Sequence, residues 1–294
     1  MNKESRRESG RRAPGRGSGI RSDCHMHTEF STDSQASVRS MLDAAVECGL
    51  DAVCITDHMD LDFPPQEGEV IAPGETPFVF DADAYFRTLG PLKEAYRGRL
   101  DVRIGIEIGL QPHLGGRYRE LVQSYPFDYV IGSVHLIRGL DPYYGKFFEG
   151  RPDAEAYREA FAETLRCLDG VSDFDALGHL DYVVRYGKHQ AEEYSYRMFA
   201  DEIDAILKKL IDMGKALEIN TAGLKYGLEF PNPHPDVLKR YRELGGEMVT
   251  VGADGHRPEH VGYDFSLAAD ILKSCGFRYY TEFKGRRPSF TEIP

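Results

Sequence analysis

The side chains best suited to chemistry first gather in the stretch Asp23–Ser34, DCHMHTEFSTDS. His25 and His27 are two residues apart, and Asp33 follows six residues after the second. Alternate residues of a strand share one face, so the two imidazoles would point the same way and could grip one metal ion. Further groups recur along the chain. His58 ends ITDH, Glu107 lies in GIEIG, His135 ends GSVH, His179 lies in GHLD, and Asp254 and His256 lie in GADGH. Six of the ten histidines thus fall at the ends of strand-like runs. Imidazoles mixed with Asp and Glu are the donor set of a divalent transition-metal cluster, and they suit Zn, Mn and Fe alike. Nine such residues exceed the four to six ligands of one ion, so roughly two to three divalent ions are expected. Glu107 could bridge two of them.

The elements that must position these groups follow a simple alternation. Short β-type runs occupy 22–27, 52–58, 102–109, 128–135, 174–181, 216–221 and 248–254, with an eighth candidate at 278–283. Helical periodicity fills the gaps. Val38, Met41, Leu42, Ala45 and Val46 follow one helical face until Gly49, and Phe199, Ile203, Ile206, Leu207, Leu210 and Ile211 do so until Gly214. Similar patterns cover 81–97, 114–124, 153–169, 234–244 and 265–275. Strand then helix, seven times over, predicts an α/β fold with a parallel sheet, closed or nearly closed into a (β/α)7 barrel. Reactive groups of such a barrel sit at the C-terminal ends of its strands, where the nine candidates fall. No GxGxxG or Walker-type loop follows the first strand, so nucleotide-binding sheets are not supported.

Bulk properties narrow the function classes. The chain has 294 residues and a formal net charge of −12. Residues 1–22 hold one Lys and six Arg against two Glu, or +5, which leaves −17 on the remainder. So acidic a body is a poor nucleic-acid binder. The Arg-, Gly- and Ser-rich head reads as a disordered extension over 1–21, followed by one catalytic domain over 22–294. No apolar run reaches the roughly 20 residues that span a bilayer, so no membrane partner is expected. The five cysteines, at 24, 48, 54, 167 and 275, show no CxxC pairing, which points to the reducing cytoplasm. The segment 59–80, rich in Pro, Gly and acidic residues, is a candidate lid.

In this order, DCHMH, ITDH, GIEI, IGSVH, GHLDY, EINTAGL and VGADGH resemble the successive motifs of the PHP (polymerase and histidinol phosphatase) superfamily, from about residue 22 to 265. FDYVIGSVH, GHLDYVVRYG and LEINTAGL are most similar to its monofunctional histidinol-phosphate phosphatase branch. The resemblance implies a distorted (β/α)7 barrel with a trinuclear metal centre. It further implies His25, His27, Glu107 and Asp254 around one ion, Asp33, His58 and His256 around a second, and Glu107, His135 and His179 around a third. Two positions depart from the branch pattern: Gly255 stands where alanine is common, and Ala222 where serine is common, which removes a hydroxyl from the pocket.

The chemistry such a centre could do is hydrolysis of a phosphomonoester. Clustered cations neutralise the phosphate oxygens, and a metal-bound hydroxide can attack in line without a protein nucleophile. No CX5R cysteine and no GxSxG serine offers an alternative, and no side-chain acid is assigned to the leaving group. FVFDADAY (78–85) has the look of an aspartyl-phosphatase opening, but Asp81 or Asp83 reads better as the N-cap of the next helix. For the phosphate itself, Arg185 is the first candidate clamp and Lys225 the second. His113, read as surface, and His189, His234 and His260 take no role. The expected substrate is a small phosphorylated metabolite, L-histidinol phosphate first. Another small phosphoester is the alternative, and a polymerase-associated exonuclease module a more distant one.

Overall fold

The computed structural model describes residues 19–65 and 76–294. Most of the basic head and the middle of the candidate lid lie outside the described residues.

Seven parallel strand positions form the barrel. They are β1 (Ser22–Met26), β2 (Ala52–Ile55) with its continuation β3 (His58–Met59), β4 (Asp101–Gly109), β5 (Tyr129–Ser133), β6 (Ala176–Leu177), β7 (Ala216–Asn220) and β8 (Val249–Gly252). Hydrogen bonding runs β1-β2-β4-β5-β6-β7-β8, with β3 also on β4. The break at Thr56 and Asp57 distorts the second strand, yet the register resumes with His58 opposite Glu107. Closure comes from backbone bonds between the ends of β1 and β8: His27 N–H donates to Gly255 O at 2.8 Å, and Asp254 N–H to His25 O at 2.8 Å. The barrel is therefore nearly closed, and its seam brings the first and last candidate metal-ligand motifs together. Buried Asp23 fastens the same seam, accepting the Ala253 N–H at 3.0 Å and the Gly262 N–H at 2.9 Å.

A helix follows each strand position: α1 (Val38–Glu47), α2 (Ala82–Ala95), α3 (Gly115–Ser124), α4 (Asp153–Gly170), α5 (Ala200–Asp212), then the one-turn α6 (Ala222–Lys225) with α7 (Pro235–Glu243), and α8 (Phe265–Ser274). Local chemistry explains their limits. Ser37 caps α1 by accepting the Ser40 N–H, and Val38, Met41, Leu42 and Ala45 are its buried face. Asp81 caps α2 by accepting the Asp83 and Ala84 N–H groups, so the aspartates of FVFDADAY serve a helix end. The core lies between the barrel wall and these helices, with Tyr85, Tyr118, Phe161, Phe174 and Phe199 buried.

Three features add to the sequence reading. The eighth candidate strand is not in the barrel: β9 (Tyr279–Lys284) pairs antiparallel with β10 (Arg287–Glu292) as a separate hairpin. That hairpin inserts Phe283 into a small cluster with Cys24, Cys54, Tyr129, Ile131, Ala176 and Ala216. The stretch between β6 and α5 forms successive 3-10 turns over Tyr182–Tyr186, Gln190–Glu193 and Tyr196–Phe199. Finally, Ile20 is already buried in the core, and Arg21 O accepts the Asp51 and Ala52 N–H groups, so the packed body begins before residue 22. No helix among the described residues is long and apolar enough to cross a membrane.

Candidate metal centre

All nine residues singled out from the sequence converge at the C-terminal end of the barrel. Glu107, at the end of β4 and fully buried, is the hub. Its Oε1 lies 3.0 Å from His179 Nε2 and 3.3 Å from His135 Nε2. Its Oε2 lies 2.9 Å from His58 Nδ1, 3.3 Å from His25 Nε2 and 3.4 Å from His27 Nε2. Asp254 Oδ1 adds a fourth donor to the His25–His27 side, 3.4 Å from His27 Nε2. On the solvent side Asp33 Oδ2 is 3.0 Å from His256 Nε2 and 3.7 Å from His58 Nε2.

These separations suit ligands sharing an ion. Donors about 2.0–2.2 Å from one metal are about 3–3.5 Å from each other. Several triads, including His25, His27 and Glu107, and Glu107, His135 and His179, bring one donor atom each within 4.8 Å. The buried Oε2 of Glu107, Nδ1 of His58 and Nε2 of His256 make no hydrogen bond. Buried lone pairs left so close together are costly unless a cation shares them. The residues present fit a bound metal.

Electrostatics agree. Burial resists every charge here, yet His25, His58 and His135 hold the Glu107 carboxyl well below its ordinary range. Against the same burial, Glu218, Glu107 and Asp254 lift His25 well above the ordinary imidazole value. His27 goes the other way, driven down by burial and then by His58 and His256, whose rings stack 4.1 and 4.2 Å from it. The carboxylates therefore attract positive charge, but the crowded imidazoles cannot each carry a proton. Metal ions held through the ring lone pairs satisfy both conditions.

A surrounding set of acceptors fixes which ring nitrogen faces inward. His25 Nδ1 is 2.6 Å from Glu218 Oε1, and His135 Nδ1 is 2.7 Å from Asp60 Oδ2. The Ser31 hydroxyl donates to Asp57 at 2.7 Å and so accepts from His27 Nδ1 at 2.9 Å. His256 Nδ1 donates to its neighbour's carbonyl, Asp254 O, at 3.2 Å. In these four rings Nε2 is left with its lone pair toward the centre. His58 is the exception, with Nδ1 toward Glu107 and Nε2 toward Asp33. Close packing is also required at the seam: a Cβ on Gly252 would collide with His25 Cβ and lie 2.6 Å from Glu218 Oε1.

Sequence reasoning gave no role to Glu218, Asp60, Asp57, Ser31 or Asn220. A signal existed for two of them, because Glu218 and Asn220 alternate on β7 and so share a face. The two candidate clamps are both at the site, Arg185 buried and Lys225 partly buried. Arg185 donates from Nε to Asn232 Oδ1 at 2.7 Å, from Nη2 to Asn220 Oδ1 at 3.1 Å and from Nη1 to Asp254 Oδ2 at 3.4 Å. Among the described residues, two of its five N–H donors stay open. Lys225 Nζ donates to Ala253 O at 3.2 Å and Asp254 O at 3.1 Å, and burial brings its ammonium down to about 8. His113 is at the surface beside Asp62. Both described ends of the candidate lid border the centre: Asp60 orients His135, and the Phe78 ring stands edge-on to His58 at 5.4 Å.

Fold and site together define a class, the (β/α)-barrel hydrolases of metal-dependent type. The chain belongs to the PHP domain family, whose model matches residues 23–222. It is 36% identical over 256 residues to the probable histidinol-phosphatase of Clostridium acetobutylicum, covering 87% of this chain and 94% of that one. It is 31% identical to the histidinol-phosphatase of Lactococcus lactis over 274 residues, 90% of this chain and 95% of the relative. The crystal structure of the Lactococcus lactis histidinol phosphate phosphatase, complexed with zinc, L-histidinol and phosphate, superposes with a TM-score of 0.82 at 29% identity, covering 92% and 98% of the two chains.

Proposed function

We propose that the protein is a metal-dependent phosphomonoester hydrolase that converts L-histidinol phosphate and water to L-histidinol and phosphate, a step of histidine biosynthesis. The observation that carries the reading is the two-sided setting of Glu107, with His135 and His179 on one oxygen and His25, His27 and His58 on the other. Similarity to the Lactococcus lactis phosphatase supports the substrate.

His25, His27, Glu107 and Asp254 would hold one divalent ion, Asp33, His58 and His256 a second, and Glu107, His135 and His179 a third. Bound there, the ions would neutralise phosphate oxygens and lower the pKa of water. The chain's own part is to orient and to clamp. Glu218, Asp60 and Ser31 hold the imidazoles in register. Arg185 offers its two open N–H donors to the phosphate from a guanidinium already fixed by Asn232 and Asn220, so little ordering remains on binding. Lys225 adds a further donor on the same side. The catalytic domain would be the barrel as a whole, with the basic head as an extension to it. Five free cysteines support a reducing compartment such as the cytoplasm.

The test is phosphate release from a panel of small phosphomonoesters, with Zn, Mn and Fe supplied in turn. L-Histidinol phosphate should have the highest kcat/KM. Preference for another ester would replace the substrate and keep the hydrolase; no release from any ester would overturn both.

A further inference from the structure

The aspartate of GHLD stands immediately before the 3-10 turn Tyr182–Tyr186. An Asp side chain at such a place ordinarily caps the turn, yet Asp181 makes no capping bond. Its carboxylate is fully buried and committed elsewhere. Oδ2 accepts the Tyr194 hydroxyl at 2.7 Å and the His234 N–H at 2.8 Å, which ties the turns after β6 to the loop before α7. Oδ1 accepts from Asn232 Nδ2 at 2.6 Å. One oxygen serves the fold. The other leads, through a single amide, to Arg185.

Asn232 Oδ1 accepts from Arg185 Nε at 2.7 Å. A guanidinium only donates, a carboxylate only accepts, and an amide does either according to which way it is turned. Set between Asp181 and Arg185, the Asn232 amide has one satisfied orientation, with its NH2 on the carboxylate and its oxygen on the guanidinium. Its second bond, to the Asp181 carbonyl at 3.4 Å, is too long to impose that alone. Asn220 repeats the arrangement: Nδ2 donates to Glu218 Oε2 at 3.1 Å, and Oδ1 accepts from Arg185 Nη2 at 3.1 Å. Reciprocal backbone bonds lock the two asparagines side by side, Asn220 N–H to Asn232 O at 2.7 Å and Asn232 N–H to Asn220 O at 2.8 Å. Both asparagines are fully buried, so an amide turned the wrong way would leave groups unpaired at full cost. The consequence is electrostatic as well as geometric. Arg185 is aimed by two neutral oxygens, with the charge of Asp181 held one residue further back. Asp254 Oδ2 approaches it less closely, at 3.4 Å. Much of the guanidinium's charge is thereby kept for an anion.

We propose that Asp181 is a positioning residue: by fixing the Asn232 amide it aims Arg185, and so sets how tightly the site holds phosphate. This rests on the reading of Arg185 as the phosphate clamp and deepens it by naming the group that orients it.

The experiment uses metal-loaded full-length protein and measures binding of inorganic phosphate by calorimetry, with kcat and KM for L-histidinol phosphate. In Asp181→Asn the new amide oxygen can still accept from Tyr194 and His234. Its NH2 then faces the NH2 of Asn232, and the Asn232 amide is driven around. Phosphate affinity and kcat/KM should each fall about tenfold, the size of one misdirected charge-assisted bond, with metal content unchanged. In the Arg185→Ala background the same change should cost less than about twofold, since no guanidinium is left to aim. Tyr194→Phe removes a bond from Oδ2 alone, so it should lower the melting temperature and leave phosphate affinity within about twofold of wild type. Should Asp181→Asn fail to fold, Asn232→Ala, which breaks the relay and spares both bonds on Oδ2, is measured in the same two backgrounds. Equal losses with and without Arg185, or a loss of phosphate affinity in Tyr194→Phe as large as in Asp181→Asn, would show that Asp181 acts through the fold and overturn the proposal. An effect of Arg185→Ala with none from Asp181→Asn would overturn the positioning and keep the clamp. No effect of Arg185→Ala would overturn the clamp and the positioning together. Phosphate binding that follows the expected pattern, with no phosphoester hydrolysed, would overturn the proposed function and keep the positioning.

Discussion

Glu107 is the residue whose loss should spread furthest, because its two oxygens face different sets of imidazoles. Glu107→Gln keeps the shape but replaces one accepting oxygen with an N–H donor that no metal can use. It should remove more than one equivalent of metal and nearly all turnover. His256→Ala, at the solvent side of the cluster, should remove at most one equivalent. Elemental analysis of protein kept from chelators checks both, and a wild-type content of one ion or fewer would end the multinuclear reading. Arg185 belongs at this scale too. Arg185→Ala should lower kcat/KM about ten- to a hundredfold, from the roughly 1.5–3 kcal/mol of a lost charge-assisted contact, while metal content is retained. Arg185→Lys should restore only part, since an ammonium lacks the fork. Wild-type rates in the alanine variant would transfer the clamp to Lys225. The nine candidate positions were legible because each lies in or shortly after a strand-like run and carries an unusual group for that place. Their orienting partners were not. Asp60 is 75 residues from the His135 it holds, and Glu218 is 193 from His25. An acidic residue near a strand looks the same in sequence whether it orients a ligand or faces water, and only the register separates the cases.

At the scale of elements, the two ends of the barrel do different work and should respond separately. The Phe283 ring stacks on Tyr129 at 5.2 Å, in a cluster with Cys24 and Cys54. Cys24 immediately precedes His25 and faces away from it along β1, as strand alternation requires. Phe283→Ala should cost about 3 kcal/mol of stability through the cavity it leaves, and should leave metal content and kcat unchanged. Gly252→Ala should do the reverse in kind. The added methyl would press on His25 and Glu218, so metal loading should fall before global stability does. Denaturant melts paired with metal analysis separate the outcomes, and equal metal loss in both variants would refute this division. The seven strands and their helices were readable because alternation and the 3.6-residue period each cover whole segments. The turns over Pro142–Tyr144, Lys146–Phe148 and Tyr182–Tyr186 were not, since runs of three to five residues carry no period. The run at 278–283 is a strand as its pattern suggests, but its antiparallel partner over Arg287–Glu292 was not read, so the hairpin was not visible in the sequence.

For the whole molecule, the question is where the folded body begins. Composition puts the boundary between 21 and 22, where the basic residues end. Packing moves it earlier. Ile20 is 3% exposed within the main core, and Arg21 O accepts the Asp51 N–H at 2.8 Å, tying the chain to the start of β2. Charge alone could not show this, because Arg21 contributes its backbone to the barrel while its side chain reaches out to Asp51 at 2.7 Å. Two truncations then have different expected outcomes. Removing residues 1–18 should leave turnover and melting temperature unchanged, since a segment so poor in apolar side chains has little to bury. Removing residues 1–22 deletes the buried isoleucine, worth about 1.5–3 kcal/mol, together with the first backbone contacts of β1. For a chain of this size each kcal/mol moves the melting temperature by about 2–4 °C, so the longer truncation should melt several degrees lower. Its turnover at low temperature should also fall, because β1 carries His25 and its end carries His27, and a loosened strand presents both imperfectly. Thermal melts of the two truncated proteins, with metal content measured in parallel, decide the matter. Identical melting temperatures would place the boundary at residue 22 after all, whereas a loss already present in the 1–18 deletion would mean that the basic head packs on the acidic barrel.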